Sequence, residues 1–204
     1  MADSFSLSWQ PGATAVPATA DETAVLIARC LGGEEVAFQL LYNNHSAMVY
    51  RLAYGLLQHK EDAEEVLQDS FEYAFRKLAH YDARKSAFTT WLYRITVSRC
   101  RNKRRRKWLP SFSINAPEQG EIRDPHAPQP MDQLLQSEEL RQVWQALGAL
   151  SPKLRETAVL RYYHGLRYAE IGEILGISPK TVESRMRLEH GRLRDLLAVS
   201  QETD

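Results

Sequence analysis

Cysteine is almost absent from this chain. Its 204 residues include two, Cys30 and Cys100, far apart and with no second Cys or His at ligand spacing, which excludes a disulfide framework and offers no zinc site. A reducing cytoplasm is the expected compartment. No stretch approaches 18 consecutive apolar residues, and the opening MADSFSLSWQPGATAVPATA has neither a basic start nor an apolar core of signal-peptide length. Export and membrane insertion are therefore not expected. Also missing are a phosphate-binding loop, a nucleophile motif, paired carboxylates in a polar setting and clustered histidines, the six His being dispersed. No catalytic residue, cofactor or metal follows from such a sequence, and an enzyme is not expected. Net charge is missing too, since 26 Lys and Arg balance 26 Asp and Glu.

That balance is not uniform along the chain. Residues 21–109 hold 15 basic against 11 acidic residues, so the positive charge sits in the first half. Residues 1–20, rich in Ala, Pro, Thr and Ser without a period, read as a disordered leader. Four helical patterns follow, at 22–31, 34–58, 62–79 and 87–107. The first stops at Gly32-Gly33, and the second places Leu41, Met48, Leu52 and Leu56 on one face. In the third, Ala63, Val66, Leu67, Phe71, Ala74 and Leu78 form a stripe of period 3.6. Five of the nine prolines fall within 110–131, a density no packed helix tolerates, because each removes a backbone donor and restricts its predecessor. This segment reads as a linker, with a second unit at 132–200. No period-2 run with hairpin signals occurs anywhere, and the fold class expected is all-α: two small helical domains joined by a flexible, proline-rich linker.

The second unit opens on Leu140, Val143, Trp144 and Leu147. Ser151-Pro152 then reads as N-cap and first-turn proline of a helix that Gly165 ends. The segment YAEIGEILGISPKTVESRMRLEHGRLRDLL reads as a helix-turn-helix. Ile171, Ile174 and Leu175 face inward, Gly176 supplies the left-handed turn residue, Ile177 plugs the angle, and Ser178-Pro179 starts the second helix. Val182 and Met186 hold that helix to the first, which turns Lys180, Thr181, Ser184, Arg185 and Arg187 outward. Short or cationic groups in this position suit phosphates and base edges in a major groove.

Two further features concern the first unit. RITVSRCRNKRRRK (94–107) has eight Lys or Arg and no acid, and it continues a helix carrying Phe88, Trp91 and Tyr93. Aromatics beside cations suit single-stranded nucleic acid, through base stacking and backbone neutralisation. Trp91 is expected to pack partly inward while flanking that surface. By contrast, EDAEEVLQDSFE (61–72) clusters six acids on the helix of the apolar stripe. The helix dipole accounts for the first-turn acids but not for Asp69 and Glu72. With Leu67 or Phe71 exposed nearby, such a surface would dock on a basic protein partner.

Together DAEEVLQDSFEYAFRKL, FTTWLYRITVSRCRNKRRR, the proline-rich segment and LSPKLRETAVLRYYHGLRYAEIGEILGISPKTVESR resemble a bacterial extracytoplasmic-function (ECF) sigma factor of the sigma-70 superfamily. The resemblance covers about 160 residues, in the family's order and spacing. It implies a region 2 bundle at 21–109 that docks on core RNA polymerase and opens the minus-10 promoter element, and a region 4 helix-turn-helix at 132–200 that reads the minus-35 element. By the same resemblance Asp62, Glu65, Gln68, Asp69 and Phe71 contact core polymerase. The loop from Tyr81 through Lys85 to Phe88 captures a flipped base. Trp91, Arg94, Arg99, Arg101, Lys103, Arg104, Arg105 and Arg106 grip and melt promoter DNA, with Lys180, Thr181, Ser184, Arg185, Arg187 and Arg192 as the contacts of the second unit. An anti-sigma factor is the further partner implied. The chain departs from the family pattern at Ser98 and Asn102, where Asn and Asp are common. It departs again at Leu188-Glu189-His190, which interrupt a usually Arg-rich stretch, and at Arg167 in place of a Ser or Thr cap. A self-sufficient helix-turn-helix repressor is the competing reading, and it gives no reason to pair the acidic stripe with a cationic aromatic helix.

Overall fold

In the computed structural model residues 20–108 and 138–201 are described, and every regular element among them is helical. The expected leader 1–20, apart from Ala20, and the proline-rich segment 110–131 lie outside the described residues. Eight α-helices follow in order: α1 Ala20–Leu31, α2 Glu35–Leu57, α3 Lys60–Arg76, α4 Phe88–Trp108, α5 Glu138–Ala149, α6 Pro152–Ala158, α7 Tyr168–Leu175 and α8 Pro179–Gln201. The chain divides into two compact units at His45/Ser46, within α2.

In the unit ending at His45, α1 buries Leu26, Ile27 and Cys30. Gly33, at φ 82°, reverses the chain as the glycine pair predicts. Arg29 forks onto Glu34 across that turn, and Glu34 N–H donates to Arg29 O at 3.2 Å.

The unit from Ser46 holds the remaining helices. Gln58 takes a left-handed φ of 53° and breaks α2 from α3 where the sequence predicts the break. His59 caps α3 by accepting from Asp62 N–H through Nδ1 at 3.4 Å. The apolar stripe is buried along its whole length, from Ala63 to Leu78, and its helix packs on α4, whose Phe88, Leu92 and Ile95 are buried too. That burial overturns one expectation: Leu67 and Phe71 are core residues and offer no exposed apolar surface beside the acids. Basic residues in the last turn of α4 suit the negative end of its dipole.

Further along, Pro152 opens α6 at its first position, whereas Ser151 makes no capping bond through its side chain. After Ala158 the helix widens to an i+5 hydrogen bond, His164 N–H to Val159 O at 3.2 Å, before Gly165 turns the chain at φ 66°. Arg167 costs α7 less than a missing Ser or Thr would suggest, because the Glu170 carboxylate accepts from Arg167 N–H at 2.7 Å and satisfies an otherwise orphaned donor.

Candidate nucleic-acid interface

Helix α4 carries the aromatic and basic side chains that the sequence marks as candidates for nucleic-acid contact, and its neighbours decide which of them are open. On its outer side lies a cleft of about 470 Å³ lined by Tyr73, Trp91, Arg94, Ile95, Ser98, Arg99 and Asn102. Trp91 is half-buried, as expected, and lines the cleft. Across from it the Arg99 guanidinium lies 4.6 Å from the centre of the Tyr73 ring. Tyr73 was not among the expected site residues. Its signal is that it is an aromatic on α3 outside the apolar stripe. Ser98 and Asn102, the two departures from the family pattern, both line this cleft.

The loop before α4 is held by three rings. Tyr81 sits 5.5 Å from Phe88 and 5.3 Å from Trp91, and its hydroxyl donates to Ser86 O at 3.0 Å. Phe88 is buried beneath them, which corrects its placement among DNA-facing residues: it supports Tyr81 and Trp91 from below. Lys85 is exposed, and Asp82 fixes the loop by accepting from Arg84 N–H and from its guanidinium.

Farther along α4 the cations are paired with acids. Lys107 and Lys103 both reach Asp62, Lys103 at 3.5 Å, and Lys103 also binds Glu65. Asp62 is buried, which corrects its place on an open docking surface. Burial pushes its carboxyl up, but the Lys107 hydrogen bond and the charges of Lys107 and Lys103 prevail and hold it below the ordinary range. Of the other expected docking residues on α3, Glu65 is exposed but paired with Lys103, Gln68 is exposed and Asp69 is half-buried. Arg101 and Arg104 turn the other way, to Glu156 of α6. Arg94, Arg105 and Arg106 remain exposed, Arg105 touching Asn102 Oδ1 at 3.4 Å.

A second cationic surface lies on α8. Gly176, at φ 69°, makes the turn, and Gly172 sits so close to it that an added Cβ would lie 2.7 Å from Ile177 O. Ser178 Oγ accepts from Thr181 N–H at 3.1 Å and caps α8. Val182 and Met186 are buried against α7, so Lys180, Thr181, Ser184, Arg187 and Arg192 face outward, as the sequence predicts. Arg185 is half-buried, its guanidinium 3.5 Å from Lys153 O, and Arg187 pairs with Glu183 at 3.4 Å. Sequence reasoning did not anticipate Glu189, a fully buried carboxylate on the same helix with no hydrogen-bond partner among the described residues.

A helical unit that sets a basic, aromatic-lined cleft beside an acidic helix, followed by a helix-turn-helix with outward donors, defines a class of DNA-binding transcription proteins. Family models locate it further: Sigma-70 region 2 matches residues 41–109, and Sigma-70 region 4 matches residues 140–188. The ECF RNA polymerase sigma factor SigE of Mycolicibacterium smegmatis is 34% identical over 197 residues, spanning 93% of this chain and 69% of that protein. RNA polymerase sigma factor NccH of Alcaligenes xylosoxydans xylosoxydans is 30% identical over 178 residues, 86% of this chain and 95% of its own. Among solved structures, CnrH in complex with the cytosolic domain of CnrY is similar with a TM-score of 0.64 and 27% identity, covering 89% of this chain and 99% of CnrH. The chain belongs to the ECF sigma factors of RNA polymerase.

Proposed function

We propose that the protein is a promoter-specificity subunit that brings core RNA polymerase to chosen promoters and starts transcription there, with an anti-sigma factor holding it in check. The observation that carries this reading is the family match in both halves of the chain, each falling on a surface with suitable chemistry. Residues 21–109 form the module that docks and melts. Residues 132–200 form the module that reads the upstream element. Docking falls to Glu65, Gln68 and Asp69, with Asp62 and Phe71 supporting that helix from within. Melting falls to the cleft, where Trp91 and Tyr81 would stack on bases while Arg94, Arg99 and the following cations neutralise the backbone, a route to strand opening that needs no ATP. The chain supplies binding and positioning in the cytoplasm, and nucleotide chemistry belongs to the polymerase. A regulatory partner is in keeping with the complex in which CnrH was solved.

The test has two arms. Glu65→Arg with Asp69→Arg should abolish capture by purified core polymerase while helicity is kept, and undiminished capture would refute the docking assignment. Neutralising Arg104, Arg105 and Arg106 should leave capture intact and block transcription from duplex promoter, with recovery on a template pre-opened at the minus-10 element. Equal failure on both templates would reduce the basic run to a DNA holder.

A further inference from the structure

Glu156 is the acid that meets the basic run from outside the first family match. Its carboxylate is 2% exposed and receives Arg101 through both oxygens, Nε to Oε1 at 3.0 Å and Nη2 to Oε2 at 2.7 Å, with Arg104 at 3.5 Å. A forked guanidinium meets a carboxylate and a phosphate with the same geometry, so the two compete for it. The contact is part of a seam that joins the segments matched by the two family models. Along it, Tyr93 Oη hydrogen-bonds His164 Nδ1 at 3.0 Å, Gln58 Nε2 donates to Trp144 O at 2.6 Å, and Arg155 Nη1 donates to Leu56 O at 3.2 Å. Gly55 lies under Val159 so closely that an added Cβ would meet its Cγ1 at 2.8 Å. Valine is stiff at that position and cannot simply swing aside.

We propose that Glu156 is an intramolecular latch, which in the free chain occupies Arg101 and Arg104 in place of DNA phosphates, so that α4 engages DNA fully only when the seam opens. This rests on the reading that the α4 run binds DNA. It adds that a specific acid of the second module controls access to that run. Two cations freed by opening should also deepen the salt dependence of DNA binding, since each phosphate neutralised adds about 0.7–0.9 to the log–log slope.

Two variants of the full chain test the latch by different routes. Glu156→Gln removes the charge at nearly constant volume. Gly55→Ala leaves every charge in place and wedges the seam, while being favourable to α2 itself, because alanine is the better helix former. Each is compared with the parent protein for helicity, for radius of gyration by small-angle scattering, and for binding of a fluorescein-labelled fork-junction DNA across a salt series without polymerase. The expected result is a larger radius, at least about fivefold tighter DNA binding at low salt, and a slope steeper by one to two. Opening without tighter binding would overturn the masking, and with it the assignment of Arg101 and Arg104 to DNA. Folded variants with unchanged radius and unchanged DNA binding would overturn the latch and leave that assignment standing. Should Glu156→Gln fail to fold, Gly55→Ala alone decides between these outcomes.

Discussion

Glu189 makes stability depend on pH in a direction opposite to that of most carboxylates. The side chain is fully buried in α8, on the face that also carries Val182, Met186 and Leu193, and neither oxygen has a partner among the described residues. Burial pushes its carboxyl from 4.5 up to about 8. The folded protein therefore holds a proton on Glu189 at neutral pH that the unfolded chain has released. The stability linked to that proton is fully present below about pH 4.5 and is lost as pH rises through about 8. At about 1.4 kcal/mol per unit, raising the pH from about 6 to 9 should cost on the order of 2–3 kcal/mol. For a protein of this size that is a fall in melting temperature of roughly 5–10 °C. Thermal melts followed by circular dichroism, for the parent protein and for Glu189→Gln, measure it. The variant cannot ionise, so its melting temperature should fall less over the same range, and the difference between the two curves isolates Glu189 from the nearby Tyr162 and His190. Parallel curves for parent and variant would refute the reasoning, because they would mean that water or a partner already satisfies the carboxylate.

Two more outcomes can be checked directly. Gly176→Ala should destabilise by roughly 1 kcal/mol, since its φ of 69° is left-handed, whereas Gly191→Ala, in mid-helix with nothing within 4 Å of the added Cβ, should stabilise by roughly 0.5–1 kcal/mol; denaturant midpoints read both. Arg185→Ala should lower promoter use by the holoenzyme, and a panel of single-base promoter variants tells its role: loss confined to one position, about 1–3 kcal/mol, marks base-edge contact, uniform loss marks a phosphate contact, and no loss refutes the placement of α8.

Helix positions and the turn of the second unit were legible in the sequence because they depend on neighbours three or four residues apart. The stripe from Ala63 to Leu78, the left-handed Gly176 and the cap Ser178 are local matters of periodicity and backbone freedom, and each stands where the pattern puts it. So do Lys180, Thr181, Ser184 and Arg187 of α8, since burying Val182 and Met186 leaves its other faces to solvent, whereas Arg185, expected outward, is half-buried beside Lys153. Exposure within a stripe was less legible. Phe71 and Phe88 have the composition of a contact surface, but a 3.6-residue period cannot say how wide the covered face is, and packing of α3 on α4 buried both.

Partners of charge were decided by tertiary structure alone. A run of eight cations and a cluster of six acids read as two independent surfaces in one dimension. In three, Lys103 and Lys107 reach back about 40 residues to Asp62 and Glu65, and Arg101 and Arg104 reach forward more than 50 to Glu156. Coulomb attraction acts on distance in space and is weakly screened in a half-buried seam. Which cations stay open is thus a property of how the helices pack, and no local pattern in the chain encodes it.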